Sequence, residues 1–222
     1  MIYFKKSQPA PACLDKEKQK EYGNYKCGDV LARLQADFCN KCYICEYSDL
    51  ANINVEHFIA HQGDKNLKFD WNNLFFACVH CNNTKLTLFP KLLNCTLTDT
   101  IEQKLKYEFT PLPFEKVKIA ALSDDARETQ DLLLAVYNGS THHKRLESDN
   151  IRKRLMDEIA DFQSHLRDYF EATNDEDASA FYLRKIKAHL HKASAFTAFK
   201  RWIIRDNQYL MQAFGQYMED QP

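Results

Sequence analysis

The sequence predicts an α+β, mostly helical protein, and two observations support this fold class. All eight cysteines lie in residues 1–114, a stretch of short-period, aromatic sequence. In residues 115–222, which contain no cysteine, apolar residues recur at steps of three and four, the spacing that places side chains on one face of a helix. We therefore divide the chain at residue 114 into an N-terminal and a C-terminal region.

The helical period is clearest between Asp149 and Ala172. Asp149 is a suitable N-cap for this helix, and the polar run Asp175–Asp177 predicts the turn that ends the pattern. Further helices are predicted from Ala178 to Lys192 and from about Phe196 to Met218. The apolar residues predicted to be buried on the first of these helices are Ile151, Leu155, Ile159, Phe162, Leu166 and Phe170.

Charge and hydropathy limit the classes of function. The chain has 30 basic and 31 acidic residues, so no overall basic excess indicates nucleic-acid binding. Basic residues do gather in the C-terminal region, in 142–145 and 152–154 and again at Lys200 and Arg201, but acidic residues lie near them. A nucleic-acid groove and a solvated helix face are both open interpretations. No apolar run reaches the length of a bilayer span or resembles a signal peptide, so we expect a cytoplasmic protein without membrane contact.

Two Cys-x-x-Cys pairs lie in the N-terminal region, Cys42 with Cys45 and Cys78 with Cys81. Two such pairs are typical of one tetrahedral zinc ion held by four thiolates. Because sulfur would fill every coordination position, this zinc would be structural. Cys39 lies three residues before Cys42, so a pair of Cys39 and Cys42 is an alternative.

The other cysteines do not show this spacing. In a reducing compartment, Cys-x-x-Cys pairs indicate metal sites more often than disulfides. We therefore expect Cys13, Cys27 and Cys95 to be small, buried, apolar residues.

Polar residues of a second kind lie around these cysteines. Glu56 and His57 are adjacent in an extended segment, Asn73 precedes a leucine, and the second cysteine pair runs directly into Asn82 and then Lys85. This order of acid-His, Asn-Leu and CxxCN followed by a lysine resembles the HNH nuclease family. The resemblance implies a ββα-metal fold, in which a two-stranded ribbon and a helix hold one catalytic metal ion. Many members brace the ribbon with a four-cysteine zinc.

The chemistry of phosphodiester hydrolysis suits these residue types. His57 is the predicted general base, because the pKa of imidazole lies near physiological pH. Glu56 and Asn82 offer oxygen ligands suited to Mg²⁺ or Mn²⁺. The resemblance implies that Asn73 fixes the loop and orients His57 without binding metal. Lys85, one helical turn after Asn82, is a candidate phosphate contact.

Several of these assignments keep alternatives. Asn72 competes with Asn73 for the middle position, and the leucine that follows favours Asn73. Asn82 is also a suitable N-cap for the segment after it. His61 and His80 are weaker candidates for substrate contact.

The segments EHFIAH and DWNNLFFACVHCNNTK are similar to one branch of the HNH family, the PtuB subunits of Septu and retron anti-phage systems. That resemblance implies a bacterial defence complex and a protein partner, an ABC/SMC-like ATPase of the PtuA kind. This chain has no GxxxxGK[ST] motif and cannot itself be that ATPase. We expect the C-terminal region to contact this partner, nucleic acid, or both.

The sequence thus predicts a metal-dependent HNH endonuclease that hydrolyses phosphodiester bonds of DNA or RNA, between which the sequence does not decide. Two alternatives stand beside it. A zinc-knuckle module that binds nucleic acid or protein without cutting would need the cysteines but not Glu56, His57, Asn73 and Asn82. A stand-alone HNH restriction-type enzyme would need no ATPase.

Overall fold

A computed structural model of the chain describes residues 1–48, 52–139, 142–172 and 174–218, with the backbone alone for residues 142 and 143. The protein is α+β, with small sheets and a majority of helix. The helices are α1 (Ala12–Lys18), α2 (Val30–Asp37), α3 (Lys65–Lys68), α4 (Val79–Lys85), α5 (Arg127–Asn138), α6 (His142–Glu171), α7 (Glu176–Leu190), α8 (Thr197–Arg205) and α9 (Gln208–Phe214). The strands are β1 (Ile53–His57), β2 (Leu74–Cys78), β3 (Leu105–Glu108) and β4 (Lys118–Ala121).

The first two strands form an antiparallel ribbon that leads directly into a helix. Ile53 lies opposite Cys78, and His57 lies opposite Leu74. The pairing of β1 with β2 therefore positions both Cys78, which begins the second cysteine pair, and His57, the predicted base. α4 begins at the next residue, and the Cys78 side chain accepts a hydrogen bond from the Cys81 N–H. Cys78 is therefore the N-cap of α4, and the alternative in which Asn82 is an N-cap is wrong, because Asn82 lies inside the helix.

A second antiparallel ribbon, β3 with β4, pairs Leu105 with Ala121. The two strands lie on either side of residue 114, so the predicted boundary falls between the strands of one hairpin. The larger cluster of buried apolar side chains likewise contains residues from both regions, from Met1 to Phe199. Residues on both sides of the boundary therefore contribute to one hydrophobic core.

The long helix α6 starts earlier than its sequence pattern predicts. Asp149 lies inside it and is not its N-cap, whereas Asp175 does cap α7, because its carboxylate accepts a hydrogen bond from the Ala178 N–H. The predicted final helix is interrupted after Arg205, and Asn207 caps α9. Of the apolar residues predicted on α6, Phe170 is exposed and the others are buried: Ile151, Leu155, Ile159, Phe162 and Leu166.

Basic residues of the C-terminal region are partly internal. Lys200 is buried and its ammonium lies 2.9 Å from Glu158 Oε2, while the buried Arg201 pairs with Glu102 at 2.5 Å. Lys200 and Arg201 therefore form structural ion pairs with acidic residues and do not line a nucleic-acid groove. The side chains of His142 and His143 lie outside the described residues. Within the described ranges, none of the helices combines the length and apolar character needed to cross a membrane.

Candidate active site and metal centre

The four paired cysteines meet in one buried cluster. Cys42 and Cys45 lie in the turn after α2, Cys78 ends β2, and Cys81 is in the first turn of α4. All four sulfur atoms lie within 4.8 Å of one another, and the Cys45 and Cys78 sulfurs are 4.0 Å apart. Thiolates around a tetrahedral zinc ion are about 3.8 Å apart, given a Zn–S bond of about 2.3 Å. The cluster could therefore hold a metal ion such as zinc, and it contains Cys45 in place of the alternative Cys39.

The ionisation of these thiols is mutually dependent. Hydrogen bonds from the other three thiols hold the pKa of Cys78 far below its usual range, and a hydrogen bond with Cys42 is the main cause that raises the pKa of Cys45. Buried like charges repel, so without a cation the four sulfurs cannot all be thiolates. A dication removes that repulsion, which is why this donor set fits a metal ion.

His57, at the end of β1, is held in one orientation. Its Nε2 lies 3.0 Å from the carbonyl oxygen of Lys68. A carbonyl only accepts hydrogen bonds, so Nε2 carries the ring hydrogen and Nδ1 keeps the lone pair that a base needs. The rings of Tyr25 and His61 contact the imidazole edge-on, at centroid distances of 4.5 and 4.6 Å. Burial lowers the pKa of His57, which favours the neutral, basic form at neutral pH.

Asn73 is buried and joins the loop after His57 to the segment before β2. Its Oδ1 accepts a hydrogen bond from the Ile59 N–H at 2.7 Å, and its Nδ2 donates to the Ile59 and Leu67 carbonyls at 2.9 and 3.0 Å. Leu67 directly precedes Lys68, whose carbonyl holds His57. Asn72, by contrast, is exposed. The geometry is consistent with the positioning role predicted for Asn73.

We expect replacement of Asn73 by alanine to lower both stability and any cleavage activity. The change removes three hydrogen bonds of a buried side chain, with the Ile59 N–H and with the Ile59 and Leu67 carbonyls, and one such bond contributes about 0.5–1.5 kcal/mol of unfolding free energy. Urea denaturation measures this loss, with the exposed neighbour Asn72→Ala as the matched control, which we expect to stay within about 0.5 kcal/mol of the wild type. Equal stability of the two variants would contradict the structural role of Asn73.

Glu56 forms a buried ion pair on the other side of β1. Its Oε1 lies 2.6 Å from the ammonium of Lys85, which also donates to the His57 carbonyl at 3.2 Å. Both side chains are almost completely buried. Lys85 is therefore an internal ion-pair partner in this structure, whereas the sequence made it a candidate phosphate contact. Burial raises the pKa of Glu56, and the Lys85 charge opposes that rise.

The second carboxylate oxygen of Glu56 provides a test of the predicted cation site. Glu56 Oε2 is buried and accepts no hydrogen bond of normal geometry among the described residues, and the Tyr43 hydroxyl, which is close enough to lower the pKa of Glu56, is buried in the same way. A buried acceptor without a donor is costly, and either the Tyr43 hydroxyl or a bound cation would satisfy it. Asn82 lies three residues before Lys85 on α4, so the two share a helix face. Glu56 and Asn82 offer the kind of oxygen ligand that Mg²⁺ or Mn²⁺ prefers, and a cation on Glu56 Oε2 would leave Lys85 on Oε1.

Removal of Lys85 alone is expected to be strongly destabilising. Lys85→Met leaves the Glu56 carboxylate buried without its partner, which costs about 3–5 kcal/mol. The double variant Lys85→Met/Glu56→Gln removes both charges and should recover most of the loss. Chemical denaturation of the wild type and both variants checks this, and a single variant as stable as the wild type would show that the pair is not desolvated.

The two remaining histidine candidates differ in their surroundings. His80 is buried, its Nδ1 lies 2.6 Å from Glu147 Oε2 and its Nε2 lies 2.9 Å from the Val136 carbonyl. His80 thus joins α4 to α5 and α6. The prediction that His80 contacts the substrate is therefore wrong. His61 is partly buried beside His57 and stays a candidate.

No local signal in the sequence indicates two of the contributors to this site. Tyr25 and the Lys68 carbonyl both contact His57, but Tyr25 lies far away along the chain. The segment that carries Tyr25 is closed by a disulfide between Cys13 and Cys27, which are only partly buried, so our prediction for these two cysteines is wrong. Cys95 is buried as predicted.

Comparison of the chain with protein-family models finds no match, and comparison with curated proteins finds none either. A functional conclusion must therefore come from the residues and contacts described above. Those contacts define an oriented imidazole and a buried carboxylate on the β1–β2 ribbon, and a thiol cluster that joins this ribbon and α4 to the turn after α2.

Proposed function

We propose that this protein is a metal-dependent endonuclease of the HNH type, which hydrolyses phosphodiester bonds of nucleic acid. The observation that carries the proposal is the orientation of His57, because the Lys68 carbonyl fixes the ring hydrogen on Nε2 and leaves Nδ1 as the basic atom. The order of ribbon and helix, and the positions of Glu56 and Asn82 on them, support the same conclusion.

In the proposed reaction, His57 Nδ1 takes a proton from the water that attacks phosphorus. Asn73 keeps the loop after His57 closed, so that the imidazole holds one direction throughout. Glu56 and Asn82 would hold Mg²⁺ or Mn²⁺, whose positive charge would stabilise the phosphate oxygens and the leaving oxygen. A zinc ion on the four cysteines would fix the positions of β2 and α4. Asn82 lies on α4, and Glu56 and His57 lie on β1, which pairs with β2.

We also propose that the nuclease acts in a bacterial defence complex with an ABC/SMC-like ATPase. The similarity of the EHFIAH and DWNNLFFACVHCNNTK segments to PtuB subunits supports this setting. The formal net charge of -1 supports it as well, because phosphate contacts by basic residues supply most non-specific affinity for nucleic acid. A partner that brings the substrate would compensate for the weak affinity of the chain itself.

The test is cleavage of plasmid DNA and of total tRNA by the purified full chain, in Mg²⁺, in Mn²⁺ and in EDTA, with and without its genomically neighbouring ATPase. We expect cleavage that requires the divalent ion, and the polymer that is cut identifies the substrate. Absence of cleavage under every condition, with the four-cysteine metal present and the ATPase bound, would overturn the proposal in favour of the non-catalytic binding module.

A further inference from the structure

A second cluster of metal-binding side chains lies in the helical region, away from the site described above. Asp161 and His165 are four residues apart on α6 and therefore share one helix face. His189 comes from the last turn of α7, which packs against α6. The four-cysteine cluster is the other group of this kind among the described residues.

The three ligand atoms lie at the mutual distances that one metal ion would impose. His165 Nδ1 is 3.1 Å from His189 Nε2, His189 Nε2 is 3.2 Å from Asp161 Oδ2, and His165 Nδ1 is 3.7 Å from Asp161 Oδ2. Nitrogen and oxygen ligands about 2.0–2.2 Å from a tetrahedral zinc ion are about 3.4 Å apart. The three observed separations fall on both sides of that value, so a single cation can reach all three atoms.

The exposure of the three side chains leaves one side of the cluster open. The histidine side chains are 17% and 12% exposed for His165 and His189, whereas that of Asp161 is 61% exposed. The imidazoles are thus held by packing, and the carboxylate faces solvent. A cation here would keep an accessible position for water, unlike the closed four-sulfur cluster.

The surrounding charges tolerate a dication. The Lys200 ammonium lies 3.2 Å from His189 Nδ1, but it also contacts Glu158 Oε2 at 2.9 Å and Ser194 Oγ at 2.6 Å. When a metal takes Nε2 of a neutral imidazole, Nδ1 carries the hydrogen and can no longer accept from Lys200. Lys200 would keep its two other acceptors, and the carboxylates of Glu158 and Asp161 would offset two of the three positive charges that Lys200 and a dication bring together.

We propose that Asp161, His165 and His189 form a second metal site, which binds a divalent transition cation such as zinc and joins α6 to α7. Imidazole nitrogen with one carboxylate suits this class of cation better than Mg²⁺, which prefers oxygen ligands alone. The site is independent of the proposed nuclease chemistry, because none of its ligands lies on the ribbon or on α4.

The test is the zinc content of the full chain after equilibration at buffered micromolar free zinc, compared with Asp161→Asn and His189→Gln. We expect each variant to bind one zinc ion fewer than the wild type. His191→Gln is the matched control, because His191 is an exposed histidine two residues from His189, and it should bind as much zinc as the wild type. Asp161 is exposed, so its variant tests the site even if His189→Gln fails to fold.

Cobalt substitution distinguishes the two sites by their ligands. Co²⁺ on thiolates has intense sulfur-to-metal charge-transfer absorption, whereas Co²⁺ on nitrogen and oxygen has only weak visible bands. We expect the wild type to show both, and Asp161→Asn to lose the weak nitrogen–oxygen component while keeping the charge-transfer bands. Equal zinc content and identical cobalt spectra of the wild type and Asp161→Asn would overturn the proposal.

Discussion

Replacement of His57 by alanine should abolish nucleic-acid cleavage without unfolding the protein. The ring is only partly buried, so its removal costs little packing, and the hydrogen bond to the Lys68 carbonyl is the one described polar contact that is lost. Loss of a general base lowers hydrolysis by about 10²–10⁴-fold. Initial rates on the preferred polymer, at saturating divalent ion, measure the effect.

The neighbouring histidine provides the control for this experiment. His61 contacts the His57 ring at a centroid distance of 4.6 Å, and its Nδ1 accepts a hydrogen bond from the Gly63 N–H. His61→Ala should therefore reduce the rate far less than His57→Ala. Normal cleavage by a folded His57→Ala protein would refute the assignment of the base, and unchanged zinc content and melting temperature would show that the fold was preserved.

Replacement of Cys81 by serine is expected to have the largest effect on stability. Cys81 is fully buried and lies in the first turn of α4, so the change removes one of four metal ligands and places a hydroxyl among sulfurs. Structural zinc contributes about 10–16 kcal/mol of apparent binding free energy in zinc-finger peptides, which exceeds the stability of most domains. We expect loss of the metal and unfolding of the ribbon with α4.

Cys39→Ser is the matched control, because Cys39 lies near the first pair in sequence but outside the cluster. Zinc per chain and thermal unfolding should change in Cys81→Ser and stay at wild-type values in Cys39→Ser. A Cys81→Ser protein that keeps its zinc and its melting temperature would show that the four sulfurs do not hold a structural metal ion.

Features with a local cause were predictable from the sequence. The spacing of each cysteine pair places two thiols on one turn, and the two turns meet where the Tyr43 N–H donates to the Phe76 carbonyl of β2. The buried face of α6 was equally predictable, because the spacing of apolar residues along one helix indicates which of its side chains are buried. Phe170, in the last turn, departs from that pattern because it is partly exposed, although its ring contacts the buried Phe214 edge-on.

Features that depend on distant segments were not predictable. The inward direction of Lys85 results from the packing of α4 on β1, and the burial of His80 results from contact with α5 and α6. The sequence predicts that both residues lie on this helix, but it does not predict which distant segments pack against the helix. The Cys13–Cys27 disulfide depends in the same way on a turn that brings α1 back to the segment before α2.

The contacts of His80 and Tyr137 have a consequence for cooperativity. His80 lies between two of the clustered cysteines and is held by the Val136 carbonyl, and the Tyr137 hydroxyl donates to the Cys45 carbonyl at 2.7 Å. Two consecutive residues of α5, Val136 and Tyr137, are therefore hydrogen-bonded to the segments that carry the two cysteine pairs. Local opening of the metal centre must break the same hydrogen bonds as local opening of α5, so amide protons in the two segments belong to one exchange unit despite their separation in sequence.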